Sequence, residues 1–122
     1  MTTVEQAEYV ALLQKAGEPG TFRAGDVVFA DGDRGDCMYV VKSGSVSLRQ
    51  AGEELEEVGP GGLFGEMALI DLGPRSASAV AVTDCELVSL EKRRFWFLVQ
   101  ETPYFAETVM RVMVDRLRRR PA

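Results

Sequence analysis

The residues best suited to chemistry lie in the segment Phe64–Ala81, FGEMALIDLGPRSASAVA. A Gly-Glu pair opens it, and a short run of helix formers follows, so several backbone N–H groups are left free to bind an anion. Arg75 comes after a Gly-Pro break and carries a planar guanidinium that fits two phosphate oxygens at once. Ser76 and Ser78 add hydroxyl groups. This pattern predicts a site for one small anion, with an exposed arginine in a surface turn as the alternative.

Histidine is absent from the chain, which removes the commonest general base and the commonest metal ligand. A zinc site would have to combine two cysteines that are far apart in the sequence, Cys37 and Cys85, with carboxylates, which is a poor ligand set. No serine, aspartate or lysine lies in a recognisable nucleophile–base motif. We therefore expect a protein that is not an enzyme and that holds no metal and no cofactor.

Length, composition and charge indicate one globular domain of 122 residues. Nineteen acidic and fourteen basic residues give a net charge of −5, which argues against direct nucleic-acid binding. The N-terminus lacks the pattern of a signal peptide, and no apolar run approaches the ~20 residues that span a bilayer. Both cysteines lie in apolar runs, as buried free thiols do in a reducing compartment. We expect a cytoplasmic protein that contacts no membrane.

The spacing of apolar and turn residues predicts a β-rich body with helices at both ends. A short N-terminal helix is predicted over Thr3–Lys15, and short strands with glycine or proline at their corners over about 21–90. The strands Cys37–Lys42 and Ser45–Gln50 are predicted to form a hairpin around Ser43-Gly44. The fold class is therefore mainly β with flanking helices, as an antiparallel sandwich or jelly roll.

Two helices are predicted after the strands, over about 91–119. The first covers Glu91–Gln100, and Thr102-Pro103 is a specific start signal for the second. The second helix ends in several arginines, which suit the negative end of the helix dipole. These are Arg116, Arg118, Arg119 and Arg120. The pattern favours a solvated helix end over a nucleic-acid-binding patch.

Taken together, these segments resemble the cyclic-nucleotide-binding domain of the catabolite activator family, the protein kinase A regulatory subunits and the cyclic-nucleotide-gated channels. The resemblance rests on FRAGDVVFADGDRGDCMYVVKSGSVSL (Phe22–Leu48) and on the two C-terminal helices. It rests also on FGEMALIDLGPRSASAV (Phe64–Val80), which looks like the phosphate-binding cassette of the family and is called the cassette below. It covers the chain from about Phe22 to Leu117. It implies an antiparallel β jelly roll, or double-stranded β-helix, with a short N-terminal helix, a short helix in the phosphate cassette and two C-terminal helices.

The resemblance implies a role for each polar residue of the cassette. Arg75 matches the arginine that pairs with the exocyclic phosphate oxygens, and Glu66 matches the acid that accepts a hydrogen bond from the ribose 2′-hydroxyl. The other implied contacts are a glycine beside the sugar, two backbone N–H groups that face the phosphate, and two hydroxyl groups. These are Gly65, Met67, Ala68, Ser76 and Ser78. Ser76 is the better ligand candidate, because Ser78 also suits a plain strand position.

The base is expected between a wall and a lid. Met38 and Leu63 are candidate wall residues, with a place in the core as the alternative. The lid is expected from the last helix, at positions that also suit core or dimer contacts. Its candidates are Met110, Met113, Val114 and Leu117. In the family a threonine after the arginine accompanies cGMP, whereas alanine or serine is more often seen with cAMP, so Ser76 indicates cAMP rather than cGMP.

These implications make residues 1–122 a single cyclic-nucleotide-binding domain with no DNA-binding domain. We expect a regulatory module that binds cAMP, or else cGMP, moves its C-terminal helices and acts on a protein effector that the sequence does not identify. A homodimer through the last helix is expected, because its apolar residues exceed one contact face. One alternative is the ligand-sensing part of a catabolite-activator-type transcription regulator that lacks its helix-turn-helix. The other is a degenerate domain that serves as a dimerisation surface.

Overall fold

The computed structural model describes residues 13, 15 and 17–119 of the chain. Eight strands and three helices follow one another in this part: β1 (Glu18–Phe22), β2 (Val27–Phe29), β3 (Cys37–Ser43), β4 (Val46–Gln50), β5 (Glu53–Val58), β6 (Leu63–Phe64), α1 (Met67–Asp71), β7 (Ser78–Ala81), β8 (Cys85–Glu91), α2 (Lys92–Glu101) and α3 (Pro103–Arg119). The helix predicted over Thr3–Lys15 lies outside the described residues, apart from Leu13 and Lys15.

The strands form two antiparallel sheets of four strands each. The first sheet has the order β1-β8-β3-β6 and the second the order β2-β7-β4-β5. The chain therefore changes sheet at every connection between these strands except the one from β4 to β5. Two sheets linked by such crossings are the jelly-roll arrangement. The predicted fold class, mainly β with flanking helices, is confirmed.

The turn at Ser43-Gly44 does not close a hairpin, so that prediction is wrong. β3 pairs with β6 and β8, whereas β4 pairs with β5 and β7. Gly44 has a φ of 82°, and a Cβ at this position would lie 2.4 Å from the carbonyl oxygen of Asp84. The turn needs a glycine, but it packs against the β7–β8 connection and carries the chain from one sheet to the other. A turn signal reports local backbone conformation and does not report which strands pair.

Apolar side chains fill both faces of the first sheet. One core lies between the two sheets and includes Val41 and Phe64. The other lies between the first sheet and the helices, where Met38 and Val40 pack with side chains from all three helices. β3 reads as a continuous apolar run because its alternate residues face two different cores.

The helices are held on the first sheet by the second of these cores. Leu69 of α1, Phe95 of α2 and Phe105 of α3 are all buried in it. The rings of Phe95 and Phe105 meet edge to face with centroids 5.8 Å apart. The cassette helix and the C-terminal helices therefore share one packed interior. No helix in the described part of the chain is both long and apolar enough to cross a membrane.

Candidate functional site

A cavity opens between the cassette, the second sheet and the C-terminal end of α3. Six of the predicted ligand residues line it: Gly65, Glu66, Met67, Ala68, Arg75 and Ser76. Further lining comes from apolar side chains and from three charged side chains outside the cassette: Phe29, Leu48, Leu55, Ala77, Glu56, Arg116 and Arg119. The fold thus brings the cassette together with strand β5 and with the last helix.

Arg75 lies in the wall of this cavity and is only 5% exposed. Its Nη1 donates to the Gly65 carbonyl oxygen at 2.9 Å and its Nη2 to the Cys37 carbonyl oxygen at 2.7 Å. The guanidinium carbon lies 4.1 Å from the centroid of the Phe29 ring. Its Nε–H finds no hydrogen-bond partner among the residues that the structure describes. Within the described residues no carboxylate pairs with Arg75.

A buried cation without a carboxylate is costly, because desolvation of the charge is only partly offset by carbonyl dipoles. Arginine cannot escape this cost by losing its proton. An anion that enters the cavity would supply the missing charge and could also accept from the free Nε–H. The guanidinium fork suits phosphate and carboxylate groups in particular. The surface-turn alternative for Arg75 is therefore wrong, since the side chain is buried.

The backbone of Arg75 is clamped by the loop between β2 and β3. The Arg75 N–H donates to the Asp33 carbonyl oxygen at 2.7 Å, and the Gly32 N–H donates to the Arg75 carbonyl oxygen at 2.8 Å. A Cβ at Gly35 would lie 2.6 Å from the Arg75 Nε. This loop therefore fixes the main chain of Arg75 and leaves room for its side chain, a role that the sequence pattern does not reveal.

Gly65 gives the guanidinium its space on the other side. Its φ is 83°, in the left-handed region that favours glycine. A Cβ there would lie 2.8 Å from the Arg75 Nη1. Both the backbone conformation and the close approach of Arg75 require a glycine at this position.

Glu66 is paired with an arginine from α3 across the cavity. Its side chain is 1% exposed, and its Oε1 accepts from the Arg116 Nη1 at 2.7 Å. Arg116 also contacts Glu56 of β5, with its Nε 2.9 Å from Oε1, and donates from Nη2 to the Leu63 carbonyl oxygen at 2.7 Å. One guanidinium thus ties α3 to β5, to β6 and to the start of α1.

The charge of Arg116 is secured by its partners. Burial alone lowers the pKa of Arg116, but the hydrogen bonds to Glu56 and the charges of Glu66 and Glu56 outweigh burial and raise it above the ordinary arginine value. In turn, Arg116 offsets the cost of burying the Glu66 carboxylate. Glu66 is therefore held in place, with its pairing to Arg116 already formed.

The prediction that Arg116 belongs to a solvated helix end is wrong, because its side chain is only 11% exposed. A signal for its burial exists in the sequence. Phe105 and Val109 form the buried stripe of α3, and Arg116 follows Val109 by seven residues on the same helix face. Arg119 stays at the rim, 52% exposed, where it pairs with Asp115 and lies 3.9 Å from Glu56.

Three other predicted residues lie away from the cavity lining. The Ser78 Oγ accepts from the Asp31 N–H at 2.9 Å, which makes it a contact between β7 and the β2–β3 loop. Met38 and Leu63 are buried in the core beneath the helices. Their side chains face the helices because the pleat of β3 and β6 directs them to that side of the first sheet.

The four lid candidates of α3 also lie outside the cavity lining. Met113 is half-buried and packs on the core beneath the helices. Met110, Val114 and Leu117 are exposed on a different face of α3. The part of α3 that does reach the cavity consists of Arg116 and Arg119. The helix predicted to cover the cavity therefore reaches it with charged rather than apolar side chains.

Comparisons with known proteins identify the family of this chain. A family model described as a cyclic nucleotide-binding domain matches residues 19–102. The chain is similar to the CRP-like cAMP-activated global transcriptional regulator of Mycobacterium tuberculosis, with 36% identity over 115 residues. That match covers 90% of this chain and 51% of the relative.

Two solved structures have a similar fold. The crystal structure of Thermus thermophilus Catabolite Activator Protein matches with a TM-score of 0.77 and 38% identity, over 93% of this chain and 55% of that one. A second, from work on a cyclic-GMP-dependent signalling pathway that regulates bacterial phytopathogenesis, matches with a TM-score of 0.78 and 28% identity, over 100% of this chain and 98% of that one. The chain spans about half the length of the first two relatives.

The network around Arg116 predicts a large loss of stability on Arg116→Ala. The Glu66 carboxylate would stay buried without its cation, and breaking a buried pair in this way costs about 3 kcal/mol. Urea unfolding of the two proteins measures this difference.

Arg111→Ala is the matched control for this experiment. Arg111 is on the same helix and pairs with Glu107, but both side chains are exposed, so the free energy of unfolding should stay within the error of the measurement. Equal effects of the two substitutions would contradict a structural role for the Arg116 network.

Proposed function

Because the chain belongs to the cyclic nucleotide-binding domain family, we propose that its cavity binds a cyclic nucleotide, and cAMP in preference to cGMP. The observation that carries this proposal is Arg75, a buried cation for which the described residues supply no carboxylate. A cyclic phosphate brings one negative charge and exocyclic oxygens that suit the guanidinium fork. The phosphate would supply the negative charge that the described residues do not provide for Arg75.

Each part of the nucleotide has a counterpart in the cavity lining. The phosphate is assigned to Arg75, with the Ser76 hydroxyl and the backbone at Met67 and Ala68 beside it. The ribose 2′-hydroxyl is assigned to the Glu66 carboxylate. Because Arg116 already holds this carboxylate, the ribose meets an acceptor that needs no reorganisation, which favours affinity.

The base is assigned to the apolar wall formed by Leu48 and Leu55. Ser76 directly follows Arg75, the arrangement that is more often seen with cAMP than with cGMP in this family. The similar regulator of Mycobacterium tuberculosis is named as cAMP-activated, which supports the same preference. cGMP is the alternative ligand.

Calorimetric titration of the purified protein with cAMP and with cGMP tests the proposal. We expect saturable binding of cAMP, with cGMP weaker by about ten-fold, or ~1.4 kcal/mol. Arg75→Gln removes the charge at similar length and should weaken cAMP binding by about a hundred-fold, because charged hydrogen bonds to the phosphate are lost.

Arg23→Gln is the control for this titration, since Arg23 is exposed and lies outside the cavity lining. Thermal unfolding of all three proteins confirms that they are folded. If neither nucleotide produced heat or raised the melting temperature of the folded wild type, the proposed function would fail. Tighter binding of cGMP would reverse the base preference alone.

We further propose that the nucleotide changes the position of the C-terminal helices. Leu69 of the cassette helix shares a core with Phe95 and Phe105 of α2 and α3, and Arg116 ties α3 directly to Glu66. A ligand that rearranges the cassette therefore acts on α3 through both contacts. The extent of the shift is set by the difference in ligand affinity between the two helix positions.

The single tryptophan of the chain reports on this motion. Trp96 of α2 meets Phe95 edge to face, with centroids 5.1 Å apart, and Phe95 meets Phe105 of α3. We expect its fluorescence to change on cAMP addition with the midpoint found by calorimetry, and the midpoint to rise by about a hundred-fold in Arg75→Gln. Unchanged emission in a wild type that binds cAMP would contradict the switch but not the binding.

We also propose that α3 forms a homodimer. Met110, Val114 and Leu117 are 59%, 48% and 55% exposed, and their spacing places them on one face of α3. This face differs from the one that Phe105 and Val109 bury in the core. An exposed apolar stripe on a long helix suits a self-complementary contact with a second copy.

Val114→Glu places a charge in the middle of this stripe and should convert the dimer into a monomer, because two buried like charges would face each other. Val82→Glu is the control, since Val82 is 44% exposed and follows β7, outside α3. Sedimentation velocity over a range of concentrations measures the masses. A monomeric wild type at high micromolar concentration would contradict the proposal.

For the output, we propose a cytoplasmic binding module without catalytic activity that passes its ligand state to a protein effector. The alternative is the ligand-sensing part of a catabolite-activator-type transcription regulator. The match to about half of the Mycobacterium tuberculosis regulator favours that alternative. The presence of Glu66 and Arg75 in one cavity counts against a degenerate domain. Affinity capture with immobilised protein, with and without cAMP, tests for an effector whose binding depends on the ligand.

A further inference from the structure

Phe29, at the end of β2, lies against the guanidinium of Arg75. The Arg75 Cζ is 4.1 Å from the centre of the Phe29 ring, well inside the distance at which cation–π attraction acts. We propose that Phe29 is the positioning residue that holds Arg75 ready for the phosphate, an inference that rests on the proposed cyclic-nucleotide function.

The other neighbours of the guanidinium leave it little freedom. Built Cβ atoms at Gly35 and at Gly65 would lie 2.6 Å from Nε and 2.8 Å from Nη1, so the main chain approaches closely at both glycines. Nη1 donates a hydrogen bond to the carbonyl oxygen of Gly65, and Nη2 donates one to the carbonyl oxygen of Cys37. The guanidinium therefore lies in a slot to which the Phe29 ring contributes an apolar wall.

The Phe29 ring is itself held by two other aromatic rings. Its centroid lies 6.1 Å from that of Tyr39 and 5.9 Å from that of Phe64, and the latter two rings stack at 5.3 Å. Phe64 is fully buried. Phe29 belongs to the second sheet, and Tyr39 and Phe64 belong to the first. The wall of the slot is thus anchored to both sheets.

An aromatic ring suits this position better than a carboxylate. A carboxylate beside Arg75 would neutralise the guanidinium and compete with the phosphate for it. The face of a ring attracts the cation through its quadrupole and adds no net charge. Phe29 therefore stabilises the buried cation while leaving its charge available to an incoming anion, and it orients the fork before the ligand arrives.

The test compares Phe29→Leu, Phe29→Tyr and Phe22→Leu in calorimetric titration with cAMP. Phe29→Leu keeps an apolar side chain but removes the ring, and we expect binding weaker by about three- to thirty-fold. Phe29→Tyr keeps an aromatic ring and should bind cAMP with an affinity within about two-fold of wild type. Phe22→Leu is the matched control, since Phe22 packs on the same core but lies outside the cavity lining. It should leave binding unchanged.

A second measurement needs no ligand. In the nitrogen–proton NMR spectrum of the free protein, the Arg75 Nε–H should be shifted upfield by the Phe29 ring and should move downfield in Phe29→Leu but not in Phe22→Leu. Arg75→Lys identifies the resonance.

The outcomes separate this inference from the proposed function. An unshifted Arg75 resonance, or equal loss of cAMP binding in Phe29→Leu and Phe22→Leu, would overturn the role of Phe29. Wild-type protein that binds neither nucleotide would overturn the proposed function, while the NMR result would still decide whether Phe29 positions Arg75.

Discussion

The site depends on the burial of the Arg75 charge, for which the described part of the chain supplies no carboxylate. The β2–β3 loop holds the Arg75 backbone through Asp33 and Gly32. Because Gly65 has no Cβ, it leaves space for the Arg75 side chain. Together these features hold a cation in a poorly solvated place where no carboxylate of residues 17–119 pairs with it. In such surroundings an anion is bound more strongly than at an exposed arginine, because less water competes for the charge.

The buried charge of Arg116 is stabilised in a different way from that of Arg75. It is also largely buried, yet it has two carboxylate partners, Glu56 and Glu66. These carboxylates compensate its charge, so Arg116 links α3 to strand β5 and to the cassette. Arg75 is the arginine proposed to bind the ligand, and Arg116 holds α3, whose C-terminal end lines the cavity. Glu66 belongs both to the cassette and to this ion-pair network, so the cassette and α3 share one carboxylate.

The features that were predictable from the sequence are local ones. Gly65 stands out because it opens a run of helix formers, and Arg75 stands out because it follows a Gly-Pro break. The continuous apolar run of β3 agrees with its position between two cores. The hairpin predicted at Ser43-Gly44 is wrong because the turn residues indicate a bend in the backbone but do not indicate which strands pair. Met38 and Leu63 also show that an apolar residue close to site residues in the sequence can point away from the cavity, into the core beneath the helices.

Arg75 and Arg116 mark the boundary between the two kinds of information. Residue type, helical period and turn chemistry were enough to predict the fold class and the start of α3, because these depend on residues that are close in the sequence. The partners of the two arginines come from other strands and helices, such as Cys37 for Arg75 and Glu56 for Arg116. Whether a guanidinium becomes a ligand-binding group or a structural tie therefore depends on which distant atoms the folded sheets bring to it, since burial and pairing are properties of tertiary contact.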